Sequence, residues 1–193
     1  ILKYNINIIS IIAKKFGSQS VVASIDVKKE NTEYVVYFNN GKIKSDLKLT
    51  EYLKILENEG AGEIILTSID KEGSRSGFDI KLYEFVKNLV NIPIIAHGGA
   101  SNLISFEELF NKTFISAAAG GSSFVYYGNR KAVLINYPTI KEIQNLMEKY
   151  ESKIDTIDFS GFILSEKDPS QSTIQPINTI AFEFLLKIKF LSW

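Results

Sequence analysis

Residues 62–77 limit the available folds more than any other stretch of the chain. Ile64, Ile65 and Leu66 make an unbroken apolar run, the pattern of a strand buried on both faces. The run ends in a polar cluster of Thr67, Ser68, Asp70, Glu72, Gly73, Ser74 and Gly77, and Asp79 then opens a helical pattern. Strand, glycine-rich turn and helix in succession make one βα unit of a parallel α/β fold, in which the carboxy-terminal strand ends carry the chemistry. Gly73 and Gly77 let the backbone approach an anion and turn amide N–H groups toward it. The stretch therefore reads as part of a phosphate-binding rim.

The same grammar recurs along the chain. Ser20 to Ile25 is a β-branched run with Asp26 at its carboxy-terminal end. Ile92 to Ala96 is a third strand, with Pro93 near its entry where a missing N–H is tolerated, and it ends in His97, Gly98 and Gly99. Phe114 to Ala119 is a fourth, ending in Gly120, Gly121, Ser122 and Ser123. Helical patterns lie between the strands. Residues 5–16 stop at Gly17 with Lys14 and Lys15 at the negative pole. Thr50 caps a helix to Glu59, and Leu82, Phe85, Val86 and Leu89 recur at helical spacing. Ser105 to Glu108 and Thr139 to Glu142 are capping boxes. Asn40-Gly41 suits a two-residue hairpin turn between Tyr34–Phe38 and Lys42–Lys44, inserted after the first strand. Four βα units are half of an eight-unit barrel, and such a half has two open edges that another half or a second copy must cover.

Composition narrows the partners. Hydrophobic residues are 45% of the chain, enough for a core, and 22 basic residues balance 22 acidic ones. That balance argues against nucleic acid or an anionic membrane surface as partner. The absence of cysteine excludes disulfides and thiolate chemistry and fits the cytoplasm. The start at Ile1 has no basic n-region or cleavage site, so it reads as the interior of a longer protein rather than a signal peptide. Residues 1–150 form the expected half-barrel. Residues 151–193 read as an extension, polar at first and apolar over Ile180 to Phe190, too short and too charged to span a membrane. It is either a docking helix or a tail without a role of its own.

Phe16 to Asp26, Gly60 to Asp70, Gly73 to Asp79 and Ile92 to Ala100 together, in this order, resemble the cyclase subunit of imidazole glycerol phosphate synthase, the HisF family. The resemblance runs from about residue 5 to 150. It implies an α/β fold that is the carboxy-terminal half of a (β/α)8 TIM barrel, with an inserted β-hairpin and a tail outside the family. It implies ammonia delivered by a glutaminase partner to a phosphorylated ribulosyl aminoimidazole nucleotide, with no metal and no cofactor. Asp26 matches the second of the family's two catalytic aspartates. The first belongs to a strand this chain lacks, so the chain alone is expected to be inactive. Gly73, Gly99, Gly121 and Ser122 match the family's phosphate contacts, with Glu72 where the family usually has Asp, and Thr67 matches a polar residue lining the central cavity; His97 and Gly98, at a strand end beside Gly99, join them as substrate- or phosphate-binding candidates. Glu63 matches a charged residue of the ammonia gate at the bottom of the barrel.

Two departures open the choice of acceptor. His97 stands where the histidine enzymes usually have Ser, and Phe124 to Pro138 is similar to HisF-like paralogues found with surface-polysaccharide genes. Those paralogues turn a sugar acetamido group into an acetamidino group. An alternative of another class is a catalytically incomplete half-barrel acting as a binding or assembly module.

Each candidate also has a plainer explanation. Asp26 is a general acid/base or a strand-end cap on the next loop. Asp70 is a site residue or a solvated turn charge. His97, the only histidine, contacts substrate or is a hydrogen-bonded, half-buried side chain, and alone it cannot build a metal site. Gly120 to Ser123 form an anion nest or a tight turn needing positive φ. Arg130 is a surface charge or the holder of a second anionic group.

Overall fold

The computed structural model describes residues 5–113, 115–128, 132–134 and 137–154. Phe114, Arg130, Lys131 and the extension past residue 154 lie outside them. The elements run α1 (Ile8–Phe16), β1 (Val22–Glu30), β2 (Glu33–Phe38), β3 (Ile43–Lys48), α2 (Leu49–Asn58), β4 (Glu63–Ser68) and α3 (Ile80–Val86). They continue with β5 (Ile94–His97), α4 (Leu103–Thr113), β6 (Ala117–Ala118), α5 (Ser122–Val125), β7 (Tyr126–Tyr127), β8 (Ala132–Val133) and α6 (Ile140–Ile154). The main sheet has the order β3-β2-β1-β4-β5-β6. β1, β4, β5 and β6 are parallel, while β2 and β3 fold back antiparallel on the outer edge of β1. This is the architecture of a partial (β/α)8 barrel.

Alternation along each strand separates two faces. Ala23, Ile25, Val27, Ile64, Leu66, Ile94 and Ala96 pack against Leu53, Leu56, Leu82, Val86, Leu109 and Phe110 of the helices in one cluster. Burying each large aliphatic side chain contributes about 1.5–3 kcal/mol, so this layer dominates the stability. The opposite face holds a separate, small cluster of Ile65, Ile95, Ala117 and Ala119. On β1 this inner face is open: Val22 is 39% exposed and Ser24 and Lys28 are exposed.

Several local expectations change. Asp26 is mid-strand rather than terminal, because β1 runs on to Glu30 as the first arm of the hairpin. The β2–β3 connection is a four-residue loop, Asn39 to Lys42, since Phe38 pairs with Ile43. Asn39, Asn40 and Gly41 all take positive φ there, and Lys42 N–H donates to Phe38 C=O at 3.1 Å. α2 begins at Leu49 with no side-chain cap, so Thr50 lies inside it. α4 begins two residues before Ser105: Asn102 Oδ1 accepts from Ser105 N–H at 3.2 Å, and Ser105 Oγ accepts in return from Asn102 N–H at 3.4 Å. That is a capping box in which serine does the work expected of Glu108. The fourth parallel strand is only Ala117–Ala118. The Thr139–Glu142 box forms as expected, with Glu142 Oε2 accepting from Thr139 N–H at 2.8 Å. Gly17 N–H also closes α1 on Ala13 C=O at 2.8 Å.

Candidate active site

Strand register decides which polar side chains meet. Asp26 pairs with Thr67, and Thr67 with His97, on three adjacent parallel strands. Laterally paired residues point to the same side of a sheet. Asp26, Thr67 and His97 therefore form one row on the inner face, level with the carboxy-terminal ends of β4 and β5. The hairpin extends the row, because Tyr37 pairs with Asp26 and Lys44 with Tyr37. Lys44 Nζ donates to Glu30 at 2.6 Å and the Tyr37 hydroxyl donates to the same carboxylate. The hairpin thereby brings a neutralised polar network, not a free charge, beside Asp26.

The row opens on a cleft of about 840 Å³ lined by Asp26, Thr67, Glu72 and His97 together with Tyr37, Asn39 and Asn40 of the hairpin. Thr67 is buried, with 8% of its surface exposed. Its hydroxyl lies 3.1 Å from His97 Nδ1, and Glu72 Oε2 lies 3.6 Å from the same nitrogen. Burial pushes the Asp26 carboxyl above its ordinary value; the nearby His97 pulls it down and Glu72 pushes it up again. A carboxyl so placed holds its proton to higher pH than a solvated one, which suits proton donation.

The glycine turns surround this cleft without lining it. Gly98 and Gly99 take φ of 95° and 92°. A Cβ on Gly98 would stand 2.7 Å from Ser68 C=O, and one on Gly99 would collide with Gly77 C=O. Their small size is thus required by backbone packing between the β4 and β5 turns, where Gly77 N–H also donates to Gly99 C=O at 2.8 Å. Gly73 is different: it has φ of 68° and open space around it. Gly121 is helical in conformation, at φ −105°, and precedes α5, whose first residue is Ser122. Both follow the carboxy-terminal end of β6, the end of the parallel strands at which His97 also lies. Glu63 pairs with Val22 at the other end of β4 from Thr67.

Asp70 has a structural task, since its Oδ2 accepts from Lys29 N–H at 2.8 Å and ties the β4 turn to β1. Sequence reasoning passed over Tyr83, whose side chain is fully buried, and placed the exposed Phe85 on the inward face instead. Buried apolar spacing at Leu82, Tyr83 and Val86 was the available signal. Among the described residues no group of three or more His, Cys, Asp or Glu side chains is placed to hold a metal ion, and no helix is long and apolar enough to cross a membrane.

The model of the family described as histidine biosynthesis protein matches residues 3–131. The chain belongs to this family. It is 42% identical over 140 residues to a putative imidazole glycerol phosphate synthase subunit hisF2 of Pseudomonas aeruginosa, covering 72% of this chain and 56% of that one. It is 48% identical over 113 residues to the imidazole glycerol phosphate synthase subunit HisF of a Hydrogenobaculum species, covering 58% and 45%. The HisF of Chlorobaculum parvum is 42% identical over 127 residues, covering 65% and 51%. The resemblance carried by the four motifs is thereby borne out. The chain spans about half the length of these curated relatives, and the histidine biosynthesis match ends before α6.

Proposed function

We propose that the chain supplies the carboxy-terminal half of a HisF-type cyclase subunit of histidine biosynthesis, which uses ammonia from a glutaminase partner on a phosphorylated ribulosyl aminoimidazole nucleotide. The observation that supports it most is the level row of Asp26, Thr67 and His97 along one cleft. Ammonia adding to an electrophilic carbon needs a proton for the departing oxygen and a base for the proton on its own nitrogen. Asp26, whose grip on its proton burial strengthens, gives the first as the acid and as carboxylate takes the second. Thr67, Glu72 and His97 hold the polar part of the substrate. Gly73, Gly98, Gly99, Gly121 and Ser122 form the phosphate-binding turns around it. Glu63 stands four residues before Thr67 on β4, about 13 Å away at ~3.3 Å per residue, which suits an entry gate for ammonia. A cytoplasmic site of action goes with this reading. Pairing of two copies through the open edges is the other way to cover the half-barrel.

The test completes the barrel with the half of a relative that this chain does not span. The assembly is given ammonium salts and the aminoimidazole nucleotide. Turnover that disappears in Asp26→Asn is the expected result; an active Asp26→Asn refutes the assignment. A second reading, ammonia addition to a sugar acetamido group, rests on His97 standing where the histidine enzymes usually have Ser and on the segment from Phe124 to Pro138. Turnover of an amino-sugar nucleotide instead would select it. An assembled complex inactive on both substrates would favour a binding or assembly module.

A further inference from the structure

Tyr83 comes from α3, in the helix layer, yet its hydroxyl reaches the end of the parallel ladder. It accepts from His97 N–H at 3.0 Å and lies 2.7 Å from His97 C=O and 3.0 Å from Leu66 C=O. One phenol thus engages both backbone groups of the last residue of β5 and a carbonyl of β4. His97 needs such an anchor. It is followed by two glycines of positive φ, so no side chain of the next two residues can fix the strand end. The phenol ring is held in turn by an edge contact with Phe78, centroids 6.4 Å apart, and is fully buried. Burial raises the phenol far above its ordinary value, so it stays a neutral donor and acceptor.

We infer that Tyr83 is a positioning residue that sets His97, and through it the Thr67–His97–Glu72 cluster, at the mouth of the cleft. The functional meaning rests on the cleft being the active site; the geometric claim does not. A hydrophobic residue of equal size would fill the same space, but it would leave His97 N–H and Leu66 C=O without this partner. The imidazole would then be carried on a strand end held by its pairing with β4 and by the Gly77–Gly99 hydrogen bond, without the phenol.

The chain contains one histidine, so labelling histidine with carbon-13 at Cε1 gives a single imidazole signal. Three forms of the 193-residue chain are compared: the parent, Tyr83→Phe, and Leu82→Ala as a packing control on the same helix. The expected result is a displaced imidazole signal in Tyr83→Phe and exchange of the His97 amide faster by about tenfold, the loss of one hydrogen bond. Leu82→Ala, although it removes more buried surface, leaves the imidazole signal where it is. Unchanged His97 signals in Tyr83→Phe, or equal displacement in both variants, overturn the inference. If Tyr83→Phe does not fold, the parent decides. A slowly exchanging Tyr83 hydroxyl proton with a cross-peak to the His97 amide supports the inference, and its absence contradicts it. None of these readouts uses turnover, so failure here leaves the proposed chemistry standing, and an inactive assembly leaves this inference standing.

Discussion

The two faces of the central sheet are built from the same strands yet are governed by different physics. On the helix-covered face, Ile25, Val27, Ile64 and Leu66 lie in one continuous apolar cluster. On the inner face their immediate neighbours are Ser24, Asp26, Ile65 and Thr67, and only a small apolar cluster interrupts the polar rows. Adjacent residues of one strand therefore have opposite tasks. One face supplies stability through buried apolar contacts; the other holds a carboxyl at the cost of its desolvation. The period of two keeps these tasks from interfering.

Substitutions on the two faces can break or sharpen that contrast. The largest stability loss belongs to the covered face. Leu66→Ala should cost about 2–5 kcal/mol, read as a lowered denaturant midpoint with unchanged slope. A loss below ~1 kcal/mol would mean that the helix layer does not pack as described. Thr67→Val, on the inner face, should cost about 0.5–1.5 kcal/mol through its lost contact with His97, and its main effect should be on the imidazole signal.

Asp26→Asn should act in the opposite direction and stabilise the fold at neutral pH. The sign follows from linkage. The folded carboxyl titrates above its unfolded value, so the folded state binds the proton more tightly in that interval. Its contribution is full below the unfolded value near 3.8 and is lost as pH rises through the folded one. Asparagine removes that dependence, so melts across the acid range should diverge from the parent as pH rises; parallel curves would contradict the burial of Asp26. The smallest effect lies on neither face. Lys112→Ala removes an exposed i,i+4 pair with Glu108 on α4 and should cost only about 0.3–0.5 kcal/mol.

The legibility of the sequence follows the same division. The apolar runs at Ile64 and Ile94 announced their strands because a parallel strand buried on both faces has no polar interruption. The polar ends of those runs announced the rim. Asp26 was named as a candidate, but its strand was cut short, because Val27, Lys28 and Lys29 lose the apolar pattern where the strand leaves the barrel for the hairpin. The row itself was not readable, since register is a relation between strands distant in sequence. Tyr83 was missed for a similar reason: its ring fits the helical apolar spacing, while its hydroxyl partners belong to two other elements. Gly98 and Gly99 were legible as special positions, but their close approach to Ser68 and Gly77 depends on how two turns pack.

One measurement bears most directly on the contrast: turnover per folded molecule, in the completed barrel, of Asp26→Asn beside Val27→Ala. These residues are neighbours in β1, one lining the cleft and one 1% exposed beneath the helices. The account expects Asp26→Asn to lose about 10²–10⁴-fold, the usual share of a general acid/base. Val27→Ala should keep parental turnover despite a lower melting point. Asp26→Asn working at close to the parental rate, or both variants losing turnover equally, would contradict it.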